Sequence, residues 1–339
     1  MSEVQKTPYD NLPDNITRLT SFGWRPDMSA DGKEIVFVSK EFGDVFVLNL
    51  ENNDLRCLTD TICPSQPEHP CFIRASHLSN GDYLLVGMSE WPTDDPTNPM
   101  PLYSRARHEF CYMFYLNKKP GSLPVKFGPA FYEAAAVGKV SNKVAYVINW
   151  WADSSMPEGK SELYIADLKV EDGVPTLENP VKMMESSFPP DGRLAAVYFY
   201  ENDTKLMVIS YDYTPHCGAH AISLDVNSGE AVDASIEKYN VDEPAAMFDD
   251  KHVIIRSSRH DIPENYPPEK VGLEKMDLYK LALDGTGKNI ERLTYVSDIP
   301  GFKANNAAVS PDGKFMVFQI SGGYNHNDMT SRGLFKYEF

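Results

Sequence analysis

The chain has 339 residues, 42% hydrophobic and 12% aromatic, a composition that buries a large core and is not that of a disordered chain. Its formal net charge is −17, from 49 acidic and 32 basic residues, with no basic cluster to reverse the sign locally. This speaks against nucleic acid as a partner. No apolar stretch reaches the ~20 residues of a membrane span, and no basic segment followed by an apolar run opens the chain, so the expected place is the cytoplasm without membrane contact.

In chain order, Ile16-Thr17-Arg18-Leu19-Thr20 reads as a short first strand. A strand, Asp-Gly turn, strand unit follows at Met28-Ser29-Ala30-Asp31-Gly32-Lys33-Glu34-Ile35-Val36-Phe37. Such a pair between alternating apolar runs signals a hairpin, because glycine tolerates positive φ. Weaker copies turn at Asn80-Gly81, Ser141-Asn142, Asp191-Gly192 and Asp249-Asp250, and a strong one closes the series at Ser310-Pro311-Asp312-Gly313-Lys314. Each copy has a second half, clearest in Leu278-Tyr279-Lys280-Leu281 followed by Ile290-Glu291-Arg292-Leu293-Thr294. Six turns at intervals of about 50–60 residues have the period of propeller blades. No long helical periodicity interrupts them. The expected fold is all-β: one six-bladed β-propeller over residues 1–339, with four-stranded antiparallel blades. The last copy lacks its outer strand, and residues 16–20 match the outer-strand text, so the N-terminus is expected to complete the last blade and close the ring. Cys57, Cys63, Cys71, Cys111 and Cys217 show no motif spacing and read as free thiols.

At Ser310-Pro311-Asp312-Gly313-Lys314 and Glu291-Arg292-Leu293-Thr294 the chain resembles the TolB-type propeller repeat family, and the likeness extends over essentially the whole sequence. That resemblance implies the fold. The broad family includes protein-binding periplasmic modules, propeller domains of prolyl-oligopeptidase-like enzymes and oligogalacturonate lyases. No G-x-S-x-G elbow occurs and no hydrolase domain is expected, which excludes the peptidase role. The lyase-like group carries a His-rich metal site at its innermost strands. Here Asn305-Asn306 stand where such histidines are expected.

The connections between second and third strands are long, at 91–109, 151–161, 211–219, 259–276 and 321–332. Long loops on a rigid scaffold are where function sits. Six of the eight histidines, all but His77 and His252, fall on the face that these connections share with the links between blades. His108, His216 and His260 are the candidates for proton transfer. Residues just before each innermost strand approach the central channel; aligning the turns gives Arg25, Arg74, Glu133, Glu185, Glu243 and Asn305, with Tyr132 and His69 nearby. Arg25, Arg74, Tyr132, Arg259 and Asn305 are candidates to bind substrate. His69, Glu133 and Glu243 are candidates to hold a divalent metal ion. Trp91, Trp150, Trp151, Tyr211, Tyr213, Tyr266 and Tyr324 offer flat faces on the same loops. The expected function is a small-molecule enzyme of lyase or related acid–base type, acting on a polar carbohydrate-like or carboxylated metabolite. The alternative is a non-catalytic scaffold binding a protein or peptide on the same face.

Overall fold

The computed structural model describes residues 7–59, 71–88, 90–93, 101–187, 193–212, 218–235, 241–261, 275–322 and 330–339. Its 24 strands form six four-stranded antiparallel sheets arranged as a propeller. After β1 (Ile16–Arg18), blade 1 holds β2 (Trp24–Met28), β3 (Glu34–Val38), β4 (Val45–Asn49) and β5 (Leu55–Cys57). Blade 2 holds β6 (Cys71–His77), β7 (Tyr83–Met88), β8 (Tyr112–Leu116) and β9 (Val125–Phe127), with a one-helix insertion, α1 (Leu102–His108), before β8. Blade 3 is β10 (Tyr132–Val137), β11 (Lys143–Asn149), β12 (Lys160–Glu171) and β13 (Val174–Ser187). Blade 4 is β14 (Arg193–Tyr200), β15 (Lys205–Asp212), β16 (Gly218–Asp225) and β17 (Ala231–Asp233). Blade 5 is β18 (Asp242–Asp249), β19 (His252–Ser257), β20 (Asp277–Ala282) and β21 (Ile290–Arg292). Blade 6 is β22 (Phe302–Val309), β23 (Phe315–Gly322) and β24 (Ser331–Glu338), completed by β1.

The repeated sequence has a local cause in each blade. In the first and last turns, Ser29 and Ser310 hydroxyls donate to Asp31 and Asp312 (2.7 and 2.8 Å) and accept from the N–H of Glu34 and Phe315 (2.9 and 3.1 Å). Gly32 and Gly313 sit at φ 71° and 68°, which only glycine reaches without strain. The threonine of the outer-strand motif has an equally definite task. Thr59 and Thr294 hydroxyls accept from the N–H groups of Val45 and Leu278 at the start of the third strands, and donate to Asp44 and Asp277. Thr20 accepts from Leu334 N–H in the same way at 3.0 Å, from the other end of the chain. With the pairs Ile16–Tyr337, Thr17–Lys336 and Arg18–Phe335, this closes the ring as expected.

The core lies between blades. One apolar cluster fills each of the six blade interfaces, including Met28, Ile35, Phe37 and Leu48 of blade 1 against Ala308, Val317 and Leu334 of blade 6. Crowding near the axis favours small residues on the innermost strands: Ala134–Ala136, Ala195–Ala196, Ala245–Ala246 and Ala307–Ala308. Cys57, Cys71 and Cys111 form no disulfide among the described residues.

One turn assignment is corrected. The fourth first-to-second-strand turn is not at Asp191-Gly192; residues 188–192 lie outside the described ones, and Arg193 already begins the innermost strand. The turn is Glu201–Thr204, with Glu201, Asn202 and Asp203 at φ 47°, 54° and 63°. Asp203 is held by the N–H groups of Lys139, Val140 and Ser141 in the neighbouring blade (2.8–3.0 Å), which fixes a conformation that Asn and Asp tolerate better than most residues. The long hairpin of β12 and β13 takes up the chain that the sequence reading gave to an earlier turn.

Candidate functional site

Every innermost strand carries a register shift in its pairing, at Trp24/Asp27, Phe72/Arg74, Tyr132/Ala135, Ala196/Tyr198, Pro244/Ala246 and Asn305/Ala307. A bulge re-aims a side chain. Here six of them stand around one axis. Arg25 and Asn306 take φ 52° and 39° at theirs, a conformation that costs of order 1 kcal/mol or more outside glycine and collects at functional sites.

The result is a cavity of about 340 Å³ at the axis. Arg25, Arg74, Arg107, Arg193 and Arg256 line it, with Glu41, Glu133 and Glu243. Trp24, Tyr132, Tyr198 and Tyr211 supply aromatic walls. Its floor is a constriction of about 20 Å³, lined by Arg25, Arg74, Tyr198 and Asn306 together with Asp27 and Lys139. That is room for a single water. Tyr198 spans the axis from blade 4, its hydroxyl 2.5 Å from Ala245 O in blade 5 and 3.4 Å from Ala307 O in blade 6. Burial pushes this phenol up to about 12. A second cavity of about 340 Å³ opens beyond it, lined mostly by apolar groups of the tight-turn face.

Most of the charges have partners. Glu133, only 5% exposed, accepts from Arg107 Nε at 2.5 Å and from Arg107 Nη2, and from Arg25 Nη2 at 3.4 Å. Burial opposes its ionisation, but Arg107 and Arg25 hold its carboxyl well below the usual carboxylate range. Arg107 also lies 3.7 Å from Glu41. Arg256 pairs with Glu243 and donates to Asn305 Oδ1 at 2.9 Å. Arg74 is different. Its side chain makes no hydrogen bond or ion pair with any described residue, its Nε is buried without a partner, and Glu133 acts on it only through space. Burial and the neighbouring Arg25 lower its pKa from the ordinary arginine value.

The residues singled out from sequence separate into groups. Arg25, Arg74, Tyr132, Glu133 and Glu243 line the cavity. Glu133 and Glu243 are already neutralised by guanidinium groups, so this donor set does not fit a divalent cation. Asn305 is fully buried and supports Arg256 and Ser321, while its neighbour Asn306 faces the cavity. Glu185 sits on the outer strand β13 beside Lys182 at 2.7 Å, displaced by the same turn misassignment. His108 backs the site at the end of α1, stacked on Tyr132 (4.9 Å, 6°) and against Trp151 (4.7 Å). Its Nε2 lies 3.0 Å from Arg193 Nη1. Burial and Arg193 lower its pKa to about 3, so the imidazole is neutral and accepts from the guanidinium. His108 therefore positions Arg193 and is a weak base.

Arg259 lies elsewhere. It clasps the buried Asp242 carboxylate and donates to Gly287 O (2.7 Å) and Ser235 O (3.2 Å), tying loops together. His260 bonds Tyr279 Oη at 2.7 Å and Ser297 Oγ at 2.8 Å, again away from the cavity lining. It groups with Asp277 and Asp298, but Arg292 Nη2 stands 2.7 Å from the first and 2.6 Å from the second, in the place a metal would take. His69 and His216 lie outside the described residues, as do Tyr213, Tyr266 and Tyr324. Trp150 and Trp151 pack on each other at 4.5 Å, and Trp91 packs on Phe42. Sequence reasoning missed Arg107, Arg193, Arg256, Glu41, Tyr198 and Asn306. The alanine pairs of the innermost strands were the available signal for Arg193 and Tyr198.

No protein-family model matches the sequence, and a search of curated proteins finds no match either. Solved structures do resemble it in fold. A protein assigned as TolB from Agrobacterium tumefaciens is 13% identical, with a TM-score of 0.51 over 86% of this chain and 88% of that one. The fold is that of a TolB-like β-propeller. TolB from Acinetobacter baumannii is 9% identical, with a TM-score of 0.51 over 95% of this chain and 65% of its own. The propeller domain of the trilobed protease from Pyrococcus furiosus is 12% identical, with a TM-score of 0.50 over 93% and 81%. That domain has an open velcro topology. In the present propeller, β1 pairs with β24 and closes the ring.

Proposed function

We propose that the protein binds a small carboxylated metabolite at the axial cavity on its long-loop face. The observation that carries this reading is Arg74, a cation lining the cavity whose side chain makes no hydrogen bond or ion pair with a described residue. An unpaired buried charge costs several kcal/mol and persists where a ligand repays it. Guanidinium groups match carboxylates in shape, donating two parallel hydrogen bonds at once. Tyr132, Tyr211 and Trp24 would pack on the ligand's carbon skeleton.

Turnover of that ligand is the fuller form of the proposal. The arginines would stabilise the charge that builds on a carboxylate when a neighbouring carbon loses its proton, as a lyase-type reaction requires. The proton acceptor is the weak point, since His108 is held neutral with a pKa near 3 and Glu133 is saturated by two arginines. Binding therefore stands first. No separate observation favours a peptide scaffold.

The test is a thermal-shift screen of carboxylated, neutral and cationic metabolites, with absorbance followed for the conjugated double bond that elimination leaves. Anions should raise the melting temperature of the native protein and not that of an Arg74→Met variant. Stabilisation by neutral or cationic compounds alone, undiminished in that variant, overturns the proposal.

A further inference from the structure

Beneath the cavity, Arg74, Arg25 and Asn306 border the same constriction, a space of about 20 Å³ that admits one water-sized group. Its unpaired polar atoms are of two kinds. Arg74 brings a guanidinium without a hydrogen bond or ion pair to a described residue, and Arg25 brings Nε and Nη1, both buried without partners. These atoms only donate. Asn306 brings an acceptor, because the orientation of its amide is fixed from behind. The Arg25 backbone N–H stands 3.5 Å from Gln319 Oε1, and the same oxygen accepts from Asn306 Nδ2 at 3.0 Å. Gln319 is fully buried, and its Nε2 donates to Ser321 Oγ at 2.6 Å. A turned Gln319 amide would set its nitrogen against the Arg25 N–H, donor against donor. Asn306 Nδ2 is thereby taken, while its Oδ1 accepts from no described residue.

Other groups at this level are already engaged. Asp27 accepts from Lys139 Nζ at 3.1 and 3.2 Å and from the His77 N–H at 2.8 Å. The Tyr198 hydroxyl donates to Ala245 O at 2.5 Å. Ser76 also borders the constriction, with a hydroxyl that can take either role. A group standing between unpaired donors and an unpaired acceptor must both accept and donate, and here it must be no larger than water. A hydroxyl meets all three demands. A carbonyl oxygen would turn its lone pairs on Asn306 Oδ1, and an ammonium would add positive charge beside Arg25 and Arg74. Arg74 lines both the cavity and the constriction, so a carboxylate that it holds above can place its neighbouring carbon over the constriction. Resting on the carboxylate reading above, we propose that the ligand is a 2-hydroxy carboxylate, with its carboxylate on Arg74 and its hydroxyl in the constriction, accepting from Arg25 and donating to Asn306 Oδ1.

Calorimetric titration with acids on one skeleton tests this. The probes are butyrate, both enantiomers of 2-hydroxybutyrate, 3-hydroxybutyrate, 2-oxobutyrate and 2-aminobutyrate. They are titrated into the native protein and into Arg74→Gln and Asn306→Gly, each checked by its melting curve. Glycine suits the φ of 39° at position 306 and removes the acceptor. One enantiomer of 2-hydroxybutyrate should bind the native protein at least about fivefold tighter than butyrate, with the oxo and amino acids no tighter than butyrate. Asn306→Gly should bring that enantiomer to the butyrate level and leave butyrate itself unchanged, while Arg74→Gln should weaken every acid. The native series decides the hydroxyl even where a variant melts early. Equal binding of butyrate and 2-hydroxybutyrate, or tightest binding of any other probe, with Arg74→Gln still harmful, overturns the hydroxyl and leaves the carboxylate site standing. A preference for the 2-hydroxy acid that survives in Asn306→Gly overturns the part given to Asn306. No binding of any acid, or binding indifferent to Arg74→Gln, overturns both readings.

Discussion

Replacing Arg74 with methionine should make the protein more stable and less able to respond to its ligand. The native side chain places a guanidinium near Arg25 with no hydrogen bond or ion pair to a described residue, and burial further disfavours its cation. Methionine is shorter than arginine but unbranched, of similar volume and without charge. Relief of an unpaired, partly desolvated charge is worth about 1–3 kcal/mol. Unfolding entropy near the midpoint is about 2 cal/mol/K per residue. For 339 residues that is ~0.7 kcal/mol/K, so the variant should melt about 1.5–4 °C higher than the native protein without ligand. A bound anion acts in the opposite sense. At a free concentration of 100 times Kd it stabilises the native protein by ~2.7 kcal/mol, or about 4 °C, and that increment should vanish in the variant. Differential scanning fluorimetry with and without a binding carboxylate from the screen reads both effects on one plate. A variant that melts lower without ligand refutes the unpaired-charge argument, because it would mean that Arg74 holds structure.

Ring closure and acid sensitivity give two more expectations. Thr20→Val keeps the shape of the side chain but removes the hydroxyl that accepts from Leu334 N–H, so the melting temperature should fall by about 1.5–4 °C, from ~1–3 kcal/mol; Thr59→Val, which breaks the same bond inside blade 1, should cost a similar amount, and an unchanged melt for Thr20→Val alone would contradict closure by β1. His108 has a folded pKa of about 3 against an ordinary 6.5, so the unfolded chain binds its proton first and stability drains as pH falls from about 6.5 towards 3, by at most ~1.4 kcal/mol per pH unit. His108→Phe should therefore flatten the stability profile between pH 6 and 4.5 in denaturant titrations, and an unaltered slope would show that the imidazole is not held neutral.

The fold was legible because its repeat is written in short-range chemistry. Asp31-Gly32 and Asp312-Gly313 need glycine at positive φ, and Thr20, Thr59 and Thr294 each cap a third strand, so the same letters recur for the same reasons. The fourth blade was misread because its turn uses Glu201-Asn202-Asp203, held open by the neighbouring blade, while an unrelated Asp-Gly pair ten residues earlier offers a stronger local signal. Tertiary contacts there override local turn preference. The site was legible in part. Arg25, Arg74, Glu133 and Glu243 follow from counting back from the turns. Arg193 was lost with the shifted turn. Arg256 lies on a second strand, and Arg107 arrives on α1 inside a long connection, so neither could be placed by that count. Histidine enrichment pointed to the face on which the axial cavity opens, where His108 supports an arginine, while His260 serves a buried aspartate network.

The central claim is that Arg74 awaits an anion. A crystal structure of the protein soaked with the tightest-binding carboxylate tests it most directly. The account predicts that carboxylate within hydrogen-bond distance of Arg74, above the Tyr198 floor. A carboxylate side chain of the protein itself paired with Arg74, or the ligand bound away from the axis, would contradict it.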